Sequence, residues 1–252
     1  MTTESRGLVK IEPLAKRVRG YLNGQPVVDT VQASLVWETP YYPAYYFPER
    51  DVRMELLVPS DRTEHSPSRG DARYFDVMVG DRVADSGAWS YPESPLEALR
   101  GLVRFDWDSM DAWFEEDEEV YVHPRSPYTR VDVLPSSRRV EVSIGGVVVA
   151  DSNQPRILFE TGLPPRYYLP LVDVRMDLLR PSSTVTSCPY KGTAAYWSVE
   201  VDGKLFEDIV WIYRTPLPES IRVAGLVSFY NERVDLRVDG VVQERPKTPF
   251  SR

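Results

Sequence analysis

One segment of the sequence places a thiol, a phenol and an amine within four residues. Cys188, Tyr190 and Lys191 lie in the run 187–192, which reads SCPYKG. An ammonium close to a cysteine favours the thiolate, which is the nucleophilic form. This spacing therefore makes Cys188 and Lys191 candidates for catalysis. No histidine precedes or follows them closely, so a buried, unreactive thiol is the alternative for Cys188.

Glu160 is the third candidate for chemistry. It ends the apolar run 157–159 and is followed by a threonine, a place from which a carboxylate can act as a general base. A hydrogen bond to neighbouring backbone is the alternative interpretation. The candidate catalytic residues are therefore Lys191, Glu160 and Cys188.

These residues belong to the second of two copies of one sequence pattern. Residues 17–91 return at 139–213 with a constant offset of 122 residues, as from Arg17 to Arg139. At the place of the SCPYKG run the first copy reads HSPSRG, residues 65–70. Proline and glycine persist, as a fixed turn requires, while the thiol, the phenol and the amine are replaced. We expect the functional site in the second copy.

The alternation of apolar residues predicts mainly β structure in both copies. Tight turns are expected where glycine meets asparagine, aspartate or glycine, at residues 23–24, 80–81, 145–146, 202–203 and 239–240. Short strands are predicted at 52–57 and 174–179. One short helix per copy is predicted, at 96–100 after Ser94-Pro95 and at 218–221.

Strand alternation separates a core face from a more polar face. Trp197, Val199 and Val201 share the predicted core face, whereas Tyr196 lies on the opposite face. Arginine and lysine cluster around the same segments at Arg156, Arg166, Arg175 and Lys191, which favours an anionic or polar ligand. For Arg175, an ion pair with a neighbouring aspartate is the alternative. The candidate ligand-binding residues are Glu160, Tyr168, Arg175, Cys188, Tyr190, Lys191, Tyr196, Trp211 and Tyr213.

Composition excludes several classes of protein. The net charge is −8, and residues 1–130 carry 15 Lys and Arg against 23 Asp and Glu, so we expect no nucleic-acid partner. One cysteine and two histidines predict neither a zinc nor an iron–sulfur site. No apolar run is long enough to span a membrane, and the first residues lack the apolar core of a signal peptide. We therefore expect a cytoplasmic protein.

Residues 115–119 form an acidic run, EEDEE. Such a run is typical of a solvated turn, and the alternative is a docking surface for a basic protein partner.

The chain resembles a known domain family. The CPYKG motif at 188–192, the Tyr-Trp strand after it and the Pro-Pro-x-Tyr-Tyr-x-Pro segment at 164–170 are similar to those of the domain of unknown function 427 family, which is also labelled nucleotidyltransferase-like. The resemblance covers both copies. It implies a small β tent, two sheets over a pocket, which is a fold shared with zinc-bearing domains of the cereblon and methionine sulfoxide reductase types. The cysteine knuckles of those relatives are missing here, so zinc is not carried over.

We therefore expect two tandem β-tent-like domains, 8–126 and 127–252, each built from small antiparallel sheets. Three functions remain open at this point. In the first, the second domain binds a small polar or anionic metabolite. In the second, the protein is an enzyme, for example a nucleotidyl- or group-transferring one, that uses Lys191, Glu160 or Cys188. In the third, the acidic first domain is a protein-interaction module.

Overall fold

The chain divides into two compact units after Ser126. The structure is a computed structural model, and it describes residues 9–251. The expected start of the first domain at residue 8 lies outside that range. So do the first residues of the chain, in which no signal peptide was expected.

Eleven strands are found in the described part of each unit. In the first unit they are β1 (Lys10–Pro13), β2 (Val18–Leu22), β3 (Gln25–Thr30), β4 (Ser34–Trp37), β5 (Ala44–Pro48), β6 (Leu57–Ser66), β7 (Gly70–Val79), β8 (Arg82–Ser90), β9 (Leu102–Phe105), β10 (Ala112–Glu115) and β11 (Glu118–Val120). In the second unit they are β12 (Val131–Pro135), β13 (Val140–Ile144), β14 (Val147–Ser152), β15 (Arg156–Glu160), β16 (Arg166–Leu169), β17 (Leu179–Cys188), β18 (Gly192–Val201), β19 (Lys204–Tyr213), β20 (Val227–Phe229), β21 (Asp235–Val238) and β22 (Val241–Val242).

Each unit contains one seven-stranded and one four-stranded antiparallel sheet. The large sheets have the orders β1-β4-β5-β9-β8-β7-β6 and β12-β15-β16-β20-β19-β18-β17. The small sheets have the orders β11-β10-β2-β3 and β14-β13-β21-β22. The large sheets of the two units are therefore built from matching strands in the same order, as the sequence duplication predicts.

The predicted hairpin turns are confirmed. Asn23 and Gly24 join β2 to β3 with φ of 49° and 70°, and Gly145 and Gly146 join β13 to β14 with φ of 59° and 83°. Positive φ at both central residues gives the tight turn that matches the twist of a hairpin, and glycine adopts it without steric cost. The turns at 80–81, 202–203 and 239–240 also lie between paired strands.

One prediction about local structure was wrong. The segments at 52–57 and 174–179 are not strands, because 3-10 turns at Met54–Leu56 and Met176–Leu178 occupy them and only their last residues, Leu57 and Leu179, begin strands. The predicted short helices are present as 3-10 helices, Glu97–Leu99 and Pro218–Val223. A proline start and a few helix-forming residues are too short to propagate an α-helix, since helix nucleation is costly.

The large sheet of each unit buries both of its faces. In the second unit one face packs with the small sheet in an aliphatic core that includes Val199, Val201 and Leu236, with Trp197 packed against it. The opposite face, here called the aromatic face, carries Tyr168, Tyr196, Trp211 and Tyr213 together with Leu158, and Val223 of the 3-10 helix Pro218–Val223 packs against them. Tyr196 thus lies on the face opposite Val199 and Val201, as predicted, but the expected polar character of that face is wrong, because Tyr196 is buried in a second hydrophobic cluster.

Within residues 9–251 no helix is long and apolar enough to cross a lipid bilayer. The same residues contain no group of three or more His, Cys, Asp and Glu side chains placed to hold a metal ion.

Candidate functional site

A row of five residues crosses the aromatic face of the second large sheet. The pairing registers join Arg156 to Tyr168, Tyr168 to Ser228, Ser228 to Trp211 and Trp211 to Tyr196. Residues directly opposite each other on neighbouring strands project from the same face of a sheet. We call these five residues the polar row.

Tyr168 and Trp211 are joined by a buried hydrogen bond in the polar row. The Trp211 Nε1–H donates to the Tyr168 hydroxyl at 3.0 Å, and the two rings meet edge to face. Tyr168 is buried, and burial raises its pKa well above the ordinary value of 10.0. The Tyr168 hydroxyl is therefore neutral at physiological pH and keeps its proton for a further hydrogen bond.

Glu160 and Lys191 form an ion pair within the second unit, with side chains 9% and 13% exposed. Glu160 lies at the end of β15, and Lys191 lies in the turn between β17 and β18. Gly192 holds that turn with φ of 90°, and the Lys191 carbonyl accepts a hydrogen bond from Leu217 N at 3.1 Å. An ammonium in an ion pair is a hydrogen-bond donor with no free electron pair, so this geometry favours binding over nucleophilic attack by Lys191.

Cys188 and Tyr213 lie near this ion pair. Cys188 is a free, partly buried thiol at the end of β17. Burial raises the pKa of Tyr213, and the neighbouring Tyr168 and Cys188 raise it further. Tyr190, partly buried beside Lys191, accepts a hydrogen bond at its carbonyl from the Ser220 hydroxyl at 3.3 Å. The loop is thus anchored through its backbone.

Tyr196 extends the hydrogen bonds of the polar row toward the next residues. Its hydroxyl lies 2.8 Å from the Thr186 hydroxyl and 3.3 Å from the Tyr230 hydroxyl. Burial raises the pKa of Tyr230, and its hydrogen bond with Tyr196 raises it further. The Tyr230 phenol is therefore neutral and can both donate and accept a hydrogen bond.

Arg175 lies elsewhere. Its guanidinium is exposed and binds the Asp177 carboxylate with two hydrogen bonds, of 2.8 and 2.6 Å. It lines a cavity of about 350 Å³ with Val148, Asp151 and Val174. The structure therefore brings eight of the nine candidate ligand-binding residues to the aromatic face or its adjoining loop, and Arg175 is not among them.

The first unit repeats the polar row with two residues exchanged. The matching row reads Ser34, Tyr46, Arg104, Trp89 and Tyr74. The arginine thus lies on β9 in the first unit and on β15 in the second, on opposite sides of the shared tyrosine.

The arginine of the first unit is neutralised. Arg104 and Tyr46 both donate to the Glu38 carboxylate, and the Arg104 guanidinium lies 4.5 Å from the Trp89 ring. Burial and the Glu38 charge raise the pKa of Tyr46 far above 10.0. Arg69, which occupies the place of Lys191, has its Nε 3.8 Å from the same carboxylate. Glu38 is therefore surrounded by donors.

In each unit the polar row keeps buried polar atoms that have no partner among the described residues: Trp89 Nε1 and Arg104 Nε in the first unit and Ser228 Oγ in the second. Ser228 is fully buried, and its hydroxyl has no hydrogen-bond partner in residues 9–251. Arg156 is partly buried, and its guanidinium forms neither a hydrogen bond nor an ion pair with the described residues. The sequence pointed to the charge of Arg156 but not to Ser228. A two-residue insertion in the second copy places Ser228, the counterpart of Arg104, outside the constant offset of 122 residues.

The acidic run of the first unit is paired internally. The Glu115 carboxylate, 4% exposed, accepts from Lys16 Nζ at 2.6 Å and from the Tyr45 hydroxyl at 2.8 Å. Glu116 accepts a hydrogen bond from Arg17 N, and Glu119 accepts one from the Tyr121 hydroxyl. Asp117 forms an ion pair with Arg19, and Glu118 forms one with Arg125. Cations thus offset the charge of Glu115, Asp117 and Glu118, whereas Glu116 and Glu119 bond neutral donors.

The fold and the two rows define a class: a tandem-duplicated, antiparallel β protein with a polar aromatic face in each unit. The sequence model of one domain family, described as domain of unknown function DUF427, matches residues 10–116 and 132–240. The chain therefore belongs to this family and contains two copies of its domain, as its motifs indicated. No protein of curated function matches the chain.

Proposed function

We propose that the second unit is a binding module for a small anionic molecule, held on its aromatic face. The observation that carries this proposal is a pair of polar side chains beside Tyr168, the buried Ser228 hydroxyl and the partly buried Arg156 guanidinium. Arg156 and Ser228 are the cross-strand neighbours of Tyr168 on either side. Neither side chain has a hydrogen-bond partner in the described part of the chain.

An anion suits these groups chemically. A guanidinium donates two parallel hydrogen bonds to a carboxylate or a phosphate, and a serine hydroxyl adds a third donor. A buried polar group without a partner costs about 1–3 kcal/mol, so a ligand that satisfies Ser228 gains from a cost already present in the free protein. The neighbouring Tyr168 phenol is neutral and does not repel an anion.

Lys191 and Glu160 have a second role in this proposal. Their ion pair lies at the loop that joins β17 to β18 and offers ammonium protons beside a carboxylate. Such a pair can hydrogen-bond both an acidic and a hydroxyl group of a ligand. A small hydroxy acid or a phosphorylated metabolite combines these groups.

An enzyme is the second candidate. It is favoured by the arrangement of Glu160, Lys191 and Cys188 in one loop region beside Tyr213. A nucleotidyl-transferring reaction requires a divalent ion, and release of pyrophosphate from ATP or GTP with Mg²⁺ is its direct assay. A protein-interaction role for the acidic run is less favoured because three of its five carboxylates are paired with cations of the first unit.

The test of the binding proposal is a thermal-shift and calorimetry screen against small carboxylates, inorganic phosphate and nucleotides. A ligand at about 100 times its dissociation constant adds roughly 2.7 kcal/mol of stability. We expect Arg156→Ser, which copies Ser34 of the first unit, to lose the response, and Lys191→Ala to weaken it. The matched control is Arg175→Ala, which removes an exposed, ion-paired arginine away from the aromatic face. A response that survives in Arg156→Ser, or no response to any anion, contradicts the proposal.

A further inference from the structure

A small cavity in the first unit has aromatic walls and a carboxylate at its margin. Its volume is about 200 Å³, and its lining includes Tyr42, Ala44, Trp107, Asp108 and Trp113. Sites for drug-sized ligands have volumes of about 300–1,000 Å³, so this cavity suits one small group rather than a whole metabolite.

The second unit shows what occupies the equivalent positions. Ala44 pairs with Val36 on the neighbouring strand, and Arg166 pairs with Leu158 in the same way, so Ala44 corresponds to Arg166. Asp108 lies three residues after Phe105, and Glu232 lies three residues after Phe229, at the ends of the matching strands β9 and β20. The pair Ala44 and Asp108 therefore stands where the second unit has Arg166 and Glu232.

In the second unit these positions bind a guanidinium. Arg166 donates two hydrogen bonds to Glu232, of 2.6 and 2.7 Å, and the two side chains are 9% and 0% exposed. The guanidinium lies 5.7 to 5.9 Å from the rings of Trp211, Tyr230 and Phe250. Carboxylate and aromatic rings together stabilise a guanidinium by charge-assisted hydrogen bonds and cation–π contact.

The first unit keeps the acceptor and lacks the cation. Alanine replaces the arginine, and the Asp108 carboxylate, which is exposed where Glu232 is buried, has no hydrogen-bond or ion-pair partner in residues 9–251. The other charged side chains of the lining are Asp106, Arg104 and His123. Asp106 accepts from Ser109 at 2.7 and 3.0 Å, Arg104 is paired with Glu38, and the His123 ring is stacked on Tyr42.

We propose that this cavity binds a guanidinium group that comes from outside the unit. The group takes the place that Arg166 fills in the second unit, with Asp108 as its carboxylate partner and Trp107 and Tyr42 as its aromatic walls. The source is either a free guanidino compound or the arginine side chain of a peptide. This inference concerns a cation in the first unit, and it is independent of the anion proposed for the second.

The experiment measures binding of methylguanidinium to the full chain by calorimetry at low salt. We expect saturable binding to the wild type. Asp108→Asn should weaken it by at least about tenfold, because a charged partner contributes more than a neutral one. Ala44→Arg should abolish it, because it supplies the guanidinium within the chain. Asp117→Asn, which neutralises an exposed carboxylate outside the cavity, should leave it unchanged.

A second variant tests the correspondence between the units. Arg166→Ala removes the guanidinium of the second unit, and millimolar methylguanidinium should restore part of its lost melting temperature, whereas methylammonium should not. The proposal for the first unit is overturned if methylguanidinium rescues Arg166→Ala but does not bind the wild type. It is also overturned if Ala44→Arg and Asp108→Asn bind methylguanidinium as tightly as the wild type does.

The source is distinguished by two further probes. Equal affinity for methylguanidinium and L-arginine amide, with no gain from an acetyl-Gly-Arg-Gly-amide peptide, indicates a free guanidino compound. At least about tenfold tighter binding of the peptide indicates a protein arginine. Absence of binding by all three probes overturns the proposal.

Discussion

The indole of Trp113 occupies the space beside the α-carbon of Gly20. A β-carbon added to Gly20 would lie 2.5 Å from Cζ3 of that ring, much closer than atoms in contact. The two residues face each other across β10 and β2. In the second unit the same register position pairs Leu236 with Val142. The large ring and the missing side chain thus compensate for each other.

Gly20→Val should destabilise the protein by about 1–3 kcal/mol, because a well-packed core cannot accept the added atoms without displacing Trp113. Combining it with Trp113→Leu copies the Val142 and Leu236 pair and should recover part of the loss. Urea denaturation of both single variants and the double variant gives the coupling free energy, for which we expect at least about 1 kcal/mol. Strictly additive effects would contradict direct packing of the two residues.

Tyr168→Phe should destabilise the second unit by about 1–3 kcal/mol. The substitution keeps the ring but leaves the buried Trp211 Nε1–H without its acceptor at 3.0 Å. Chemical denaturation followed by tryptophan fluorescence measures this loss. Tyr41→Phe is the control, since Tyr41 is 80% exposed and should change stability by no more than about 0.5 kcal/mol. Equal stability of the two variants would show that the hydrogen bond contributes nothing.

Glu232 should make stability depend on pH in acid. Burial raises its pKa, but hydrogen bonds from Arg166 and Thr248 outweigh this and place the pKa below the ordinary value of 4.5. A carboxylate whose pKa is lower in the folded state stabilises the fold above its unfolded pKa, and this stabilisation is lost as the pH falls through the folded pKa.

In Glu232→Gln the unfolding free energy should therefore decline less steeply below about pH 4.5 than in the wild type. At neutral pH the substitution should cost about 3 kcal/mol or more, because it leaves Arg166 without its charged partner. Denaturation midpoints of wild type and variant between pH 3 and 7 test both statements. Parallel curves over the whole range would exclude Glu232 as a source of the acid sensitivity.

Glu115→Gln should cost about 1–3 kcal/mol, because it removes the charge that Lys16 contacts in a buried setting. Asp117→Asn, two residues away in the same acidic run, should change stability by no more than about 0.5 kcal/mol, since the Asp117 side chain is 98% exposed. Thermal unfolding at matched salt compares the two. Equal effects would mean that burial of Glu115 is energetically unimportant.

Part of the candidate site could be predicted from the types of residues and the period of the strands. Tyr196 was separated from Trp197 because successive side chains of a strand point to opposite faces. The Lys191 and Glu160 ion pair was not predictable, since the two residues are 31 positions apart and β15, which ends at Glu160, pairs with neither of the strands that flank Lys191. Ser228 gave no signal, because an isolated serine in an apolar strand resembles many others.

The sequence by itself determined the duplication, the mainly β fold and the positions of the tight turns, because these depend on local preferences and on a period of two residues. Only the tertiary structure decided which charges are neutralised. Arg104, Arg166 and Arg175 are alike in sequence, yet each has a carboxylate partner in the fold, whereas Arg156 has none among the described residues. Pairing of charges depends on strand order and register across the sheet, and these are fixed by contacts between residues distant in the chain.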